Sequence, residues 1–326
     1  MHEPLYSQAL RHSWHLVWRN KTLWFFGLFA AVLGQMGLLE FLTQADLSTA
    51  RSGLLDGSTS QSVMVTIRAA TTSLPIDGWI WILCVFAIAL GFLIVTTFVA
   101  VVSQGVLIET TAQSVKKDKA PHIPQAWRAG VRRFWPLFGL NAMRKGIIVL
   151  LTMGLGWGSW NAVYSANAAD TALFFILFLL AVMVGIIISF LTIYIAGYIM
   201  VEDYPLLDAC EAAWRLFLDH WLVSFEVAAL ILILEVAVAF LALTGLLVFF
   251  FPAVLLWFFA VITSNFALLL TGFILGAILF TCWLVFLGSV FTVFTTSVWT
   301  FLFMKMHRQG IGSRLVHWLS YKKSKE

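Results

Sequence analysis

The residue with the strongest chemical consequence is an acid in an apolar run. Glu235 stands about fourteen positions into residues 221–247, and Glu226 precedes it by nine. An ionised carboxylate near mid-bilayer is costly, and where one occurs it commonly marks a proton, ion or solute path. Arg144 and Lys145 interrupt another apolar run, residues 134–160, at a depth comparable to that of Glu226. Either could pair with that acid, or snorkel back to the headgroups on its long stem. A proton or cation pathway needs further polar groups, and the sequence supplies Asn141, Gln104, Ser189, Thr192 and Asn265. Two readings of Glu235 stay open: a transport residue, or a neutral acid hydrogen-bonded to a backbone or hydroxyl neighbour.

Other chemistries find less support. His12 and His15 are three apart and could share a helical face, but no third ligand lies close, so solvated interfacial histidines are expected and no metal. Cys84, Cys210 and Cys282 form no close pair and imply no disulfide framework. There is no phosphate-cradling glycine loop, no nucleophile elbow and no Ser, His and acid pattern. A non-enzyme without cofactor is the expectation. Gly272 and Gly276 form a Gly-x-x-x-Gly that lets helices approach closely; internal packing is the favoured use, a homo-oligomer the other.

These groups need a scaffold, and composition names its class. The chain has 326 residues, 61% hydrophobic and only 11% charged, against roughly a quarter charged in an ordinary soluble domain. With a mean hydropathy of +0.94, a cytosolic enzyme is excluded. A transmembrane helix needs about 20 apolar residues to cross a hydrocarbon core of about 30 Å. Five runs qualify outright, residues 23–42, 79–107, 171–200, 221–247 and 266–304; a sixth, 134–160, is interrupted early by Arg144 and Lys145 and is counted as a span, the alternative being an interfacial segment followed by a short insertion. The expected fold is an all-α, polytopic integral membrane bundle, a single domain over 1–326 with six transmembrane helices arranged as three hairpins.

Charge placement orients it, because short cytoplasmic loops are enriched in Lys and Arg. Arg11, Arg19 and Lys21 precede the first span; Lys116, Lys117, Lys119, Arg128, Arg132 and Arg133 lie between the second and third, with Arg144 and Lys145 just beyond. Arg215 lies between the fourth and fifth spans, and a basic tail fills 305–326. Of the 20 Lys and Arg, only Arg51 and Arg68, in the Ser- and Thr-rich loop 43–78, fall opposite. Both termini are therefore expected in the cytoplasm. This segregation explains the net charge of +4 better than nucleic-acid binding does. Trp79, Trp81, Trp157, Trp160 and Trp257 would mark the outer interface, and Trp24, Trp135, Trp221 and Trp299 the inner one. The first long run reads as a retained anchor and not as a cleaved signal. Residues 221–304 carry only Glu226 and Glu235 as charges, and parity favours two crossings there. The surplus around Phe249, Phe250, Phe251, Pro252, Trp257 and Phe258 is expected as an interfacial turn or re-entrant piece, with Pro252 breaking the helix and Asn265 marking the return.

Three cytoplasmic segments, residues 6–18, 124–135 and 206–221, repeat one design. Gln8, Ala9, Arg11 and Trp18 align with Gln125, Ala126, Arg128 and Trp135; Ala9, Trp14 and Leu16 align with Ala209, Trp214 and Leu216. Each is amphipathic, as in Leu206, Cys210, Ala213, Trp214 and Phe217 against Asp208, Glu211, Arg215 and Asp219. Such helices lie in the interface plane, and Pro124 and Pro205 suit a first turn. They serve either as elbows that set the angle of the following span, or as docking surfaces for a partner or for lipid headgroups.

The segments SQALRHSWHLVWRNKTLWFFGLFA, WRAGVRRFWPLFGLNAMRKG and VEDYPLLDACEAAWRLFLDHWLVSFEVA resemble a broad bacterial group of six-span proteins. That group comprises the membrane domain preceding some glycerophosphoryl diester phosphodiesterases and its stand-alone relatives. The likeness rests on Lys21, Leu23 and Trp24 before the first span and on the acidic helix bearing Ala and Trp before the fifth. It implies a multi-pass protein of the bacterial inner membrane; no phosphodiesterase catalytic domain is attached, so no catalytic residue carries over. The leading expectation is a non-enzymatic component that organises anionic lipid of the cytoplasmic leaflet, or a protein partner, through the collar Lys116, Lys117, Lys119, Arg128, Arg132 and Arg133. The competing one is a small-solute or ion transporter using Glu235.

Overall fold

The computed structural model describes residues 5–31, 76–117, 122–164, 167–263 and 266–309. The elements among them are helices: α1 (Leu5–Arg19), α2 (Thr22–Ala30), α3 (Ile76–Lys117), α4 (Ile123–Arg132), α5 (Phe134–Tyr164), α6 (Ala168–Val201), α7 (Leu206–Thr263) and α8 (Phe266–Gln309). Five of them, α3 and α5 through α8, are long and apolar enough to cross a membrane. Most of the expected first span and nearly all of loop 43–78 lie outside the described residues; α2 is the part of that span in view.

The amphipathic segments are helical, and a break separates each from the apolar helix that follows. α1 stops at Arg19 and α2 starts at Thr22, and across the gap the Trp24 indole donates to the Val17 carbonyl at 3.0 Å. Arg133 (φ −101°, ψ 19°) parts α4 from α5. His220 (φ −128°, ψ 26°) kinks α7 between its amphipathic start and its apolar length. Pro124 occupies the first turn of α4 after an extended His122, where its missing N–H has no helical partner to lose. Pro205 sits one residue ahead of α7, and its carbonyl accepts from Ala209 N–H at 2.9 Å. Between α6 and α7 the chain turns through Asp203, held at φ 60°. The Tyr198 carbonyl there accepts from the N–H groups of Glu202 and Tyr204 at 3.2 and 3.3 Å, closing the end of α6.

Packing is concentrated at the end where these breaks gather. Val101 and Leu107 of α3, Leu137 and Leu140 of α5, Tyr194 and Met200 of α6, and Leu302 and Phe303 of α8 are fully buried, with Val17, Ala126 and Ala213 closing over them. Close approach is built in at Gly130, where a Cβ would come 2.9 Å from the Val102 carbonyl oxygen of α3. The opposite halves of the long helices expose large apolar side chains, among them Trp81, Phe86 and Phe92 on α3, Leu150 on α5, Leu179 on α6 and Leu247 on α7. Apolar surface this extensive has no place in water and suits hydrocarbon.

Residues 248–265 depart from expectation. α7 continues unbroken through Pro252 to Thr263, so Pro252 does not break the helix; Asn265 lies outside the described residues. A proline inside a helix costs about 3 kcal/mol or more, through the lost bond to the carbonyl four residues before and the ring's clash with it. Pro252 itself is exposed, while Phe249, Phe250, Ala253 and Leu256 pack against α8 at Gly272 and Gly276. A Cβ on Gly272 would stand 3.0 Å from Leu256 Cβ, and one on Gly276 would stand 3.3 Å from Ala253 Cβ. That seam, within one chain, offsets the proline. At about 1.5 Å per residue, the 44 residues of α8 run about 66 Å, more than twice a hydrocarbon core of about 30 Å.

Candidate functional site

Helical spacing puts the polar groups of the bundle in one place. On α6, Ser189, Thr192, Ile193, Ala196 and Gly197 recur at intervals of three and four, and so share a face. On α8 the same rule aligns Thr296, Trp299, Thr300 and Phe303; on α3 it aligns Gln104 with Ile108; on α7, Ile231 with Glu235. These faces, together with Arg144 of α5, surround a cavity of about 310 Å³. One guanidinium and one carboxyl group therefore line a chamber otherwise made of hydroxyls, one amide and apolar side chains.

The wall is held by specific bonds. Asn141, buried one turn before Arg144, donates its amide to Gln104 Oε1 and to the Leu137 carbonyl, both at 2.8 Å. Thr192 and Thr300 donate to carbonyls of their own helices at 2.7 and 2.8 Å, and Ser189 does so at 2.9 Å. A hydroxyl that donates backwards keeps lone pairs for a guest. Thr295 Oγ1 is buried at the cavity with no hydrogen-bond partner among the described residues. Farther toward the packed end, Tyr194 Oη and Ser224 Oγ share a buried bond of 2.5 Å that ties α6 to α7 just beyond the His220 kink.

Arg144 and Glu235 thus lie on one chamber, and Asn141 supports it through Gln104. Glu226 and Lys145 lie outside its lining, Lys145 on an exposed face of α5. His12 turns inward to Ser114 Oγ at 3.2 Å and against the Phe301 ring, whereas His15 is exposed, so the two do not converge. Among the described residues no group of three His, Cys, Asp or Glu is placed to hold a metal ion. Comparison with family models, with curated proteins and with solved structures found no match.

The basic collar divides by role. Lys116, Arg128 and Arg132 are exposed, Lys117 ends α3, and Lys119 is outside the described residues. Arg133 is committed elsewhere: its Nε donates to Asp203 Oδ1 at 2.6 Å, and its side chain is only 11% exposed. Arg132 reaches the same oxygen at 3.5 Å. Arg133 therefore clasps the α4–α5 break to the α6–α7 turn. The hydroxyls of α8 were the residues sequence reasoning passed over. Thr292, Thr296 and Thr300, with Thr295 beside them, recur at helical spacing in an otherwise apolar helix, and that polar periodicity was the signal available.

Proposed function

We propose that this chain is a non-enzymatic integral membrane component that gathers anionic lipid, and protein partners docking beside it, around its basic end at the cytoplasmic face. The observation that carries the reading is the outer face of α1, where Arg11, Trp14, His15 and Trp18 follow one another at intervals of three, one and three, all exposed. α4 repeats it with Arg128, Val131 and Arg132 exposed. Indoles favour the headgroup level and cations the phosphates, and each Lys or Arg near an anionic surface contributes about 1 kcal/mol. The α7 elbow differs, exposing Leu207, Trp214 and Leu218 beside Asp208, Glu211 and Asp219. Anionic lipid is accordingly assigned to the side formed by α1, the end of α3 and α4.

The test replaces Arg11, Lys116 and Arg128 together with Gln and counts phosphatidylglycerol retained by native mass spectrometry after reconstitution. Three cations at about 1 kcal/mol each correspond to roughly a hundredfold weaker association. An unchanged lipid count refutes the reading. The cavity favours a second reading, a small-solute or ion transporter whose path includes Glu235. Flux through reconstituted vesicles that disappears in Glu235→Gln supports it, and flux at the wild-type level takes the carboxylate off the path.

A further inference from the structure

The chamber does not end at its polar wall. A second hollow of about 520 Å³ lies between α5, α6 and α7. The two hollows share Arg144, Ser189, Ile193, Ile231, Glu235 and Trp299. Past that common rim the second hollow is apolar, walled by Ile148, Val182, Ile186 and Leu232. Val182, Ile186 and Leu232 are exposed on the sides of their helices, where hydrocarbon would cover them. Gly185 also lines this groove, and a Cβ there would meet nothing within 4 Å. A compartment lined by one guanidinium and one carboxyl group thus continues into an apolar channel reachable sideways from the bilayer.

We infer that the joined hollows bind one zwitterionic phospholipid, its phosphate beside Arg144, its ammonium beside Glu235, and an acyl chain along the groove at Gly185. The charges select this occupant over others. A lone anion would meet the Glu235 carboxylate and a lone metal cation the Arg144 guanidinium, while an uncharged lipid would bring no cation to the Glu235 carboxylate at a depth where a bare charge is expensive. A guanidinium carries five N–H donors in a fork that suits phosphate, so Arg144 can take a headgroup while keeping contacts within the protein. Thr192 and Thr300 retain acceptor lone pairs for an ammonium. Thr295 Oγ1, buried and unpartnered among the described residues, has a hydroxyl to offer the phosphate. The groove decides between a lipid and a free zwitterion, since only an acyl chain has use for it. This inference shares its cavity with the transport reading but claims binding, not movement: a lipid held without flux removes that reading alone, and flux without a held lipid removes this one.

The experiment reconstitutes the full chain in nanodiscs of equal parts phosphatidylethanolamine and phosphatidylglycerol, ejects it in the mass spectrometer, and identifies the last lipid to leave on activation. The expected result is one phosphatidylethanolamine, retained when Arg11, Lys116 and Arg128 are replaced with Gln. Arg144→Gln and Glu235→Gln each weaken that retention about tenfold or more, the size expected for a lost charge-assisted bond. Gly185→Leu, whose side chain enters open space, abolishes it while the protein remains folded. Soluble glycerophosphoethanolamine does not compete. A last lipid that is phosphatidylglycerol, or retention untouched by Gly185→Leu, overturns the inference. The choice between the two lipids by the unsubstituted chain decides the matter even where a variant fails to fold.

Discussion

Asn141→Leu tests how the cavity wall is built. Asn141 is 5% exposed and Gln104 2%, and the bond from Asn141 Nδ2 to Gln104 Oε1 is 2.8 Å. The pair is not symmetrical. Asn141 also donates to the Leu137 carbonyl at 2.8 Å, so removing Gln104 still leaves it an acceptor. Removing Asn141 strands Gln104 Oε1. A buried polar atom left unsatisfied costs about 1–3 kcal/mol, whereas deleting both partners of a bond approaches neutrality. Asn141→Leu is therefore expected to destabilise by about 1–3 kcal/mol, Gln104→Leu by about half as much, and the double variant by less than Asn141→Leu alone. Hydrogen bonds between membrane helices average about 0.6 kcal/mol in comparable cycles, so Asn141→Leu should fall toward the lower end. Reversible unfolding in mixed detergent micelles, followed by near-ultraviolet circular dichroism, gives the three numbers. The reasoning is refuted if Gln104→Leu is the costlier single change, or if the double variant equals the sum of the singles.

Three further outcomes follow from the packing. Gly272→Ile should push Leu256 aside and open the α7–α8 seam, costing about 1–3 kcal/mol; light scattering should return the mass of the unsubstituted protein, and a smaller assembly would mean that the glycine serves an oligomer instead. Pro252→Ala should raise the thermal midpoint without changing helix content, because it restores a helical bond at an exposed position; a loss of folded protein would return Pro252 to the role of an obligatory break. Asp203→Asn keeps a residue tolerant of φ 60° but removes the counter-charge of Arg133, and the loss should be about 1 kcal/mol because Asp203 is 63% exposed. Measured stability that does not depend on salt in the unsubstituted protein, and does not fall in Asp203→Asn, would remove the clasp.

The sequence made several elements readable for one reason: their signals are local. Spacing of Leu206, Cys210 and Ala213 against Asp208 and Glu211 identifies an amphipathic turn of helix wherever it packs, and the breaks at Arg133 and His220 fall where amphipathic pattern gives way to continuous apolar run. Arg144, Glu235 and Gln104 were legible as polar residues in apolar surroundings, and helix packing brings them to one chamber. What depends on distant partners could not be read. Pro252 reads as a breaker until Gly272 and Gly276 are seen against the helix around it. Arg133 reads as one more collar cation until the turn at Asp203, seventy residues on, takes its guanidinium. Thr295 and Thr300 look like ordinary helix hydroxyls until four other helices face them across the cavity.

Sidedness is what the lipid reading depends on most, and thiol labelling measures it directly. With Cys84, Cys210 and Cys282 replaced by Ser, single cysteines at Arg128 on α4 and at Trp160 near the far end of α5 are exposed to an impermeant maleimide in spheroplasts and in inverted vesicles. The account predicts that position 128 reacts only in inverted vesicles and position 160 only in spheroplasts. Reaction of position 128 from outside, or of both positions from one side, would contradict the assignment of the basic end to the anionic cytoplasmic leaflet.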